Sequence, residues 1–178
     1  MAKTFVIADL HFSHSKIIEY ENRPFANVEQ MNKIIINNWN KVVSKYDTVF
    51  VLGDVSFTDK ESTKELISRL NGRKVLILGN HDRGRSVNNF WRYVGFDEVY
   101  KYPIVYDNFL IMSHEPPEYF NSHTPYAYIY GHVHSTDMYR TITCNSACVS
   151  VERWDYTPVE LTKLVELMKS SGENSNVE

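Results

Sequence analysis

Five short apolar runs constrain this chain more than any other feature, because of what stands at the end of each. Residues 5–8, 48–52, 75–78, 109–112 and 126–130 are brief and rich in β-branched or aromatic side chains. Runs of that length and composition read as strands, most of them buried on both faces. The first leads into Asp9-Leu10-His11, the second into Gly53-Asp54 and the third into Gly79-Asn80-His81-Asp82. The fourth leads into Ser113-His114 and the fifth into Gly131-His132-Val133-His134. Every run therefore ends in a group able to bind a metal or move a proton. Ligands of α/β sheets bind beyond the carboxyl ends of the strands. Parallel neighbours would bring all five ends to one edge.

Amphipathic segments separate the early runs. Over 28–43 the apolar residues Val28, Met31, Ile35, Trp39, Val42 and Val43 follow helical spacing, with Asn27 and Gln30 as a capping pair. Thr58 with Glu61 is expected to start a second helix, stopped by Asn71-Gly72. Ser86 is expected to start a short third one through Phe90, Trp91 and Val94. Thr157-Pro158-Val159-Glu160 combines an N-cap, a first-turn proline and a glutamate at the third position, and predicts a last helix to about Lys169. Residues 139–151 read as further strand, folded as a hairpin around Asn145. Strand and helix alternate early and strands dominate late, which predicts an α/β sandwich with mixed sheets. One domain over 1–169 is expected, with a polar tail at 170–178 that frays.

Composition narrows the chemistry. A chain of 178 residues buries a sizeable core without help, so a bound metal would serve chemistry rather than folding. The net charge of −3 argues against a bulk electrostatic grip on nucleic acid or on an anionic membrane. No apolar stretch approaches the roughly 20 residues of a membrane span, and Asp9 arrives too early for a signal-peptide core. A cytoplasmic location is expected, with Cys144 and Cys148 as ordinary buried or half-buried thiols.

The donor set is Asp, His and Asn without Cys, a hard-to-borderline combination. Mn²⁺ is the favoured ion, with Fe, Zn²⁺ and Ni²⁺ as alternatives. Asp9 and His11 lie two apart, as do His132 and His134, so an extended chain aims each pair to one side. Seven candidate ligands, namely Asp9, His11, Asp54, Asn80, His114, His132 and His134, exceed one tetrahedral ion. They suit two divalent cations sharing a carboxylate. Two such cations against two carboxylates and one hydroxide leave net positive charge, which attracts a phosphoryl group, and a pair about 3.5–4 Å apart clamps an in-line displacement.

In order and spacing, these five motifs resemble the calcineurin-like metallophosphoesterases. The resemblance spans about residues 4–134, and the segments 9–14 and 22–25 look like the small bacterial and phage members. It implies a four-layer sandwich of two mixed β-sheets flanked by helices. It also implies roles: Asp9, His11 and His134 on one metal, Asn80, His114 and His132 on the other, and Asp54 bridging. His81 would be the general acid, with Asp82 orienting its ring. The implied reaction is in-line attack of a metal-bridging hydroxide on a phosphodiester or phosphomonoester, diesters favoured. The substrate would be a small phosphate ester, a nucleotide or a nucleic-acid end, with no obligate protein partner. The alternative is a silent scaffold of the same fold that binds proteins. Arg23, Arg83, Arg85 and His14 are further substrate-binding candidates, His123 reads as surface, and residues 115–120 either wall the pocket or shape a turn.

Overall fold

A computed structural model describes residues 1–118 and 124–173. His123 and residues 119–120 of the proposed pocket wall lie outside the described residues, as does the end of the tail, 174–178. Two mixed sheets form the body. The first has the order β4-β3-β2-β1-β9, built from β1 (Thr4–Ile7), β2 (Thr48–Leu52), β3 (Arg73–Ile77), β4 (Glu98–Tyr100) and β9 (Val159–Glu160). The second has the order β5-β6-β7-β8, from β5 (Ile104–Tyr106), β6 (Leu110–Met112), β7 (Ala127–Tyr130) and β8 (Ser146–Cys148). Strands β1 to β4 run parallel, as do β6, β7 and β8, while β9 and β5 are antiparallel edges. The α/β sandwich of two mixed sheets with flanking helices is the expected one.

Alternation along the central strands divides the core. One face of the first sheet, with Ile7, Val49, Val51 and Leu76, packs on Met31, Ile35 and Trp39 of α2 (Val28–Val42) and on Leu66 and Ile67 of α3 (Lys60–Ser68). The other face, with Val6, Phe50, Leu52 and Val75, packs on Leu110, Met112 and Ile129 of the second sheet. Helix α4 (Leu161–Glu173) adds Leu161, Leu164 and Met168 to that inter-sheet core. Among the described residues, no helix is long and apolar enough to cross a membrane.

Several local expectations shift. Asn27 caps α2 as predicted, accepting from the Gln30 amide at 2.9 Å. The cap of α3 is Asp59 rather than Thr58, and the helix ends at Ser68, short of Asn71-Gly72. Ser86 does cap the next turn, but residues 87–92 wind as a π-helix. The hairpin around Asn145 shrinks to β8 and one bridge, Ile142 to Ala147, so that Cys148 on β8 is buried as expected while Cys144, before the strand, is exposed. Thr157-Pro158 does not open a helix: Val159 and Glu160 pair with Val6 and Phe5, and α4 begins at Leu161. The edge of β1 offers unpaired backbone groups, and pairing them outweighs one more helical turn. Helix α4 also continues to Glu173, four residues beyond the expected end at Lys169.

Candidate metal centre

Strand register carries the candidate ligands to one edge. Ile7 pairs with Val51, and Leu52 with Ile77, so the chain leaves three parallel strands at nearly the same level. The ladder continues past the strands: the Asp9 amide donates to the Gly53 carbonyl at 3.1 Å, and the His11 amide to the Asp54 carbonyl at 2.9 Å. On the second sheet, the Gly131 amide donates to the His114 carbonyl at 2.9 Å. The sheets are tied together there, since the Ala8 amide donates to the Val149 carbonyl. Gly79 makes the approach possible. A methyl group at that position would lie 2.3 Å from Asp54 Oδ1, inside any real contact distance. Gly79→Ala is therefore expected to destabilise by about 1–3 kcal/mol through overpacking. It should also cost more activity than the unfolded fraction explains. Gly84→Ala, where nothing stands within 4 Å, should change neither; denaturant unfolding with parallel activity measurements compares them.

The backbone bends hard to aim these side chains. Asp9, His11, Asp54, His132 and His134 all have positive φ, between 44° and 72°. A non-glycine residue held there costs about 1–3 kcal/mol, and such strain clusters where function requires it.

One group of donor atoms comprises Asp9, His11 and His134, whose ligand atoms lie within 4.8 Å of one another. Asp9 Oδ1 and His11 Nε2 are buried without a hydrogen-bond partner. The second group is tighter. His114 Nδ1 donates to the Leu52 carbonyl at 2.8 Å, which turns Nε2 toward the cluster. Nε2 lies 2.7 Å from Asn80 Oδ1, and His132 Nδ1 lies 3.2 Å from both atoms. A ring nitrogen and an oxygen this close share a proton, and a cation can take its place. Asp54 spans the two groups: Oδ2 is 3.5 Å from His11 Nε2 and Oδ1 is 3.5 Å from His114 Nε2. Burial alone would raise the Asp54 pKa, but His11, His114 and His81 outweigh it and hold it at about 2. Orphaned ligand atoms, converging nitrogens and oxygens, and a carboxylate shared between two clusters fit a pair of divalent cations.

The remaining candidates divide. His81 is half exposed, with Nε2 facing inward 3.9 Å from Asp54 Oδ2. Asp82 does not orient it. The Asp82 carboxylate is buried and accepts from the amides of Asp54, Gly79 and Val55 at 2.8, 2.9 and 3.2 Å, so it clamps the ends of β2 and β3 together. Burial pushes its pKa up to about 6 against the pull of those amides. Arg23 is no substrate contact either. Its side chain is fully buried and bound to Glu152 and to the carbonyls of Asp9 and Leu10. Arg85 is spent on the carbonyls of Ser56 and Thr58. Arg85 is half-buried, while Arg83 stays exposed beside Glu115 at 2.7 Å. His14 stacks on Phe57 at 3.9 Å between ring centroids and places its Nδ1 3.1 Å from that of His11, so it props a candidate ligand. Glu115, Pro116 and Pro117 line a cleft with His132 and His134, which makes the described part of 115–120 a wall.

Sequence reasoning missed Glu152 and Phe57. Glu152 accepts from His134 Nδ1 at 2.9 Å. Burial would lower the His134 pKa, yet Glu152, Asp9 and Glu21 raise it to about 9, so the pocket around this ring already favours positive charge.

Comparison with known proteins agrees with this geometry. Residues 2–146 match the family described as calcineurin-like phosphoesterase. An uncharacterized protein of Methanocaldococcus jannaschii, MJ1445, is 38% identical over 175 residues, covering 95% of this chain and 93% of its own. The gene 66 protein of Mycobacterium phage L5 is 39% identical over 94 residues, 49% of this chain and 44% of its own. The crystal structure of AQ665, a protein of unknown function from Aquifex aeolicus, superposes with a TM-score of 0.70 at 27% identity, over 94% of this chain and all of that one. With the family match running from β1 to the first residue of β8, and the carboxylates and histidines gathered where those strands end, the chain belongs to the calcineurin-like phosphoesterases.

Proposed function

We propose that the protein is a dinuclear metal-dependent phosphoesterase acting in the cytoplasm, and that diesters suit it better than monoesters. The observation that carries this reading is the opposition of His114 Nε2 and Asn80 Oδ1 at 2.7 Å, with Asp54 reaching both donor groups. Asp9, His11 and His134 would hold one cation, Asn80, His114 and His132 the other, and Asp54 both. When bound, such a pair supplies activated water at neutral pH and neutralises phosphoryl charge. Asp54 fixes the spacing, because its amide and that of Gly79 are pinned by Asp82. His81 delivers a proton from Nε2 to the leaving oxygen. Asn80, His81 and His132 stand exposed at the mouth, which supports access for an ester with groups on both sides. A small phosphate ester, a nucleotide or a nucleic-acid end is the substrate in this reading.

The test is hydrolysis of bis(4-nitrophenyl) phosphate and 4-nitrophenyl phosphate by the full chain with Mn²⁺, Fe²⁺, Zn²⁺ or Ni²⁺ and after chelation, followed by a panel of nucleotides. Metal-dependent turnover with the diester ahead is expected, Mn²⁺ leading. Chelation should lower the melting temperature by lost linkage and leave near-UV circular dichroism intact. Two bound cations without hydrolysis of any ester would favour the silent scaffold.

A further inference from the structure

The sequence places Arg23 in a loop before the first long helix, and Glu152 belongs to no motif. The structure buries both and joins them. Arg23 follows α1 (Ser15–Tyr20), and Glu152 lies in a 3-10 turn over residues 151–154. Side-chain exposure is 0% for Arg23 and 5% for Glu152. Folding stability is a weak reason for this arrangement, since a buried ion pair seldom outperforms an apolar pair of the same volume. Its connections give a stronger one. Arg23 Nε and the second guanidinium nitrogen both donate to Glu152 Oε1, at 2.9 and 2.6 Å. The same guanidinium donates to the carbonyls of Asp9 and Leu10, at 2.9 and 3.1 Å. Glu152 Oε1 also accepts from His134 Nδ1. One buried ion pair thereby touches the turn that carries Asp9 and His11 and the ring of His134. It makes no such contact with Asn80, His114 or His132.

We propose that Arg23 and Glu152 are positioning residues for the Asp9–His11–His134 half of the centre, setting its cation affinity independently of the other half. This rests on the metal reading above. Glu152 takes the Nδ1 proton of His134 and leaves Nε2 as its ligand atom. A carboxylate behind a ligating histidine fixes tautomer and ring angle and raises ligand basicity. Arg23 holds that carboxylate in place and, through two carbonyls, keeps the left-handed Asp9–His11 turn at a fixed distance from it. Lysine cannot replace it, because a single ammonium lacks the planar fork that reaches all three acceptors.

The full chain is titrated with Zn²⁺ by competition against a chromophoric chelator, wild type beside Glu152→Gln and Arg23→Lys. Two sites are expected in the wild type. In each variant one site should weaken by roughly 10–100-fold and the other stay unchanged. Long-range ¹H–¹⁵N spectra of the Zn²⁺-loaded wild type should show His134 with its proton on Nδ1, the signal assigned by its loss in His134→Gln. That spectrum tests the Glu152–His134 contact even where Glu152→Gln or Arg23→Lys fails to fold. Unchanged affinities at both sites, or a His134 proton on Nε2, would overturn the proposal and leave the metal reading standing. A third cation in the wild type, lost in Glu152→Gln, would make Glu152 a ligand and overturn it as well. A wild type that binds no cation removes the metal reading and this proposal together.

Discussion

Asp54→Asn should reduce the bound divalent cations from two per chain to one or none, and abolish nearly all phosphoesterase activity. The substitution keeps the shape and removes one of the two oxygens proposed to ligate. In the wild type Oδ2 lies 3.5 Å from His11 Nε2 and Oδ1 lies 3.5 Å from His114 Nε2, so each oxygen serves a different donor group. An asparagine offers one oxygen and one amide nitrogen that donates instead of accepting. Whichever way the amide turns, one half of the centre faces a donor. The activity loss should exceed the roughly 10–100-fold that follows removal of an outer hydrogen-bond partner. Elemental analysis of purified wild type and variant, with activity measured on the same samples, checks both claims. Near neutral pH the apo protein should lose stability as well, because the imidazoles that hold the Asp54 pKa at about 2 favour the charged carboxylate over a neutral amide. An active variant that keeps two cations per chain would sink the bridging role.

The effect would separate Asp54 from its neighbour in function, Asp82. Both are buried carboxylates at strand ends of the same edge. Asp82 is saturated by three backbone amides, whereas Asp54 turns its oxygens toward imidazoles. Chemistry written in sequence as two similar residues is thus split by where the backbone amides point.

That split marks how far the sequence could be read. The strand ends carrying Asp9, Asp54, Asn80, His114 and His132 were legible, because a short apolar run followed by a polar ligand is a local pattern and parallel register does the rest. Helix α2 was legible from its long apolar stripe and Asn27. Helix α1 was not, since six residues with only Ile17 buried hold too little periodicity to be seen. Strand β9 hid behind a strong helix-start pattern, and only the open edge of β1 selects against it. Arg23 and Glu152 lie 129 residues apart, and their pairing depends on the docking of a 3-10 turn beside β1. No spacing rule connects them. Asp82 was misjudged for a related reason: a side chain that caps distant backbone amides leaves no trace in composition or periodicity.

His81→Ala should cost on the order of 10²–10⁴-fold on alkyl phosphodiesters, the usual range for acid–base catalysis, and distinctly less on nitrophenyl esters. The geometry gives the reason. His81 sits directly after Asn80, its amide is held by Asp54 Oδ1, and its Nε2 faces the donor cluster from the solvent side. It ligates nothing in the proposed assignment, so cation content should not change. Its ring is not braced by Asp82; it packs against Phe57 at 5.0 Å and edge-on to His11 at 6.1 Å between centroids. An alkoxide such as a ribose oxygen leaves poorly without a proton, whereas a nitrophenolate needs none. A group that donates a proton therefore matters in proportion to the basicity of the leaving oxygen. A group that only holds phosphate by a hydrogen bond matters equally for both. The measurement is kcat/KM for a matched alkyl and nitrophenyl pair, wild type against variant, at saturating Mn²⁺. Equal losses on the two substrates would reassign His81 as a phosphate clamp, and the proton for the leaving group would then have to come from solvent, which His81, half exposed at the mouth, does not keep out.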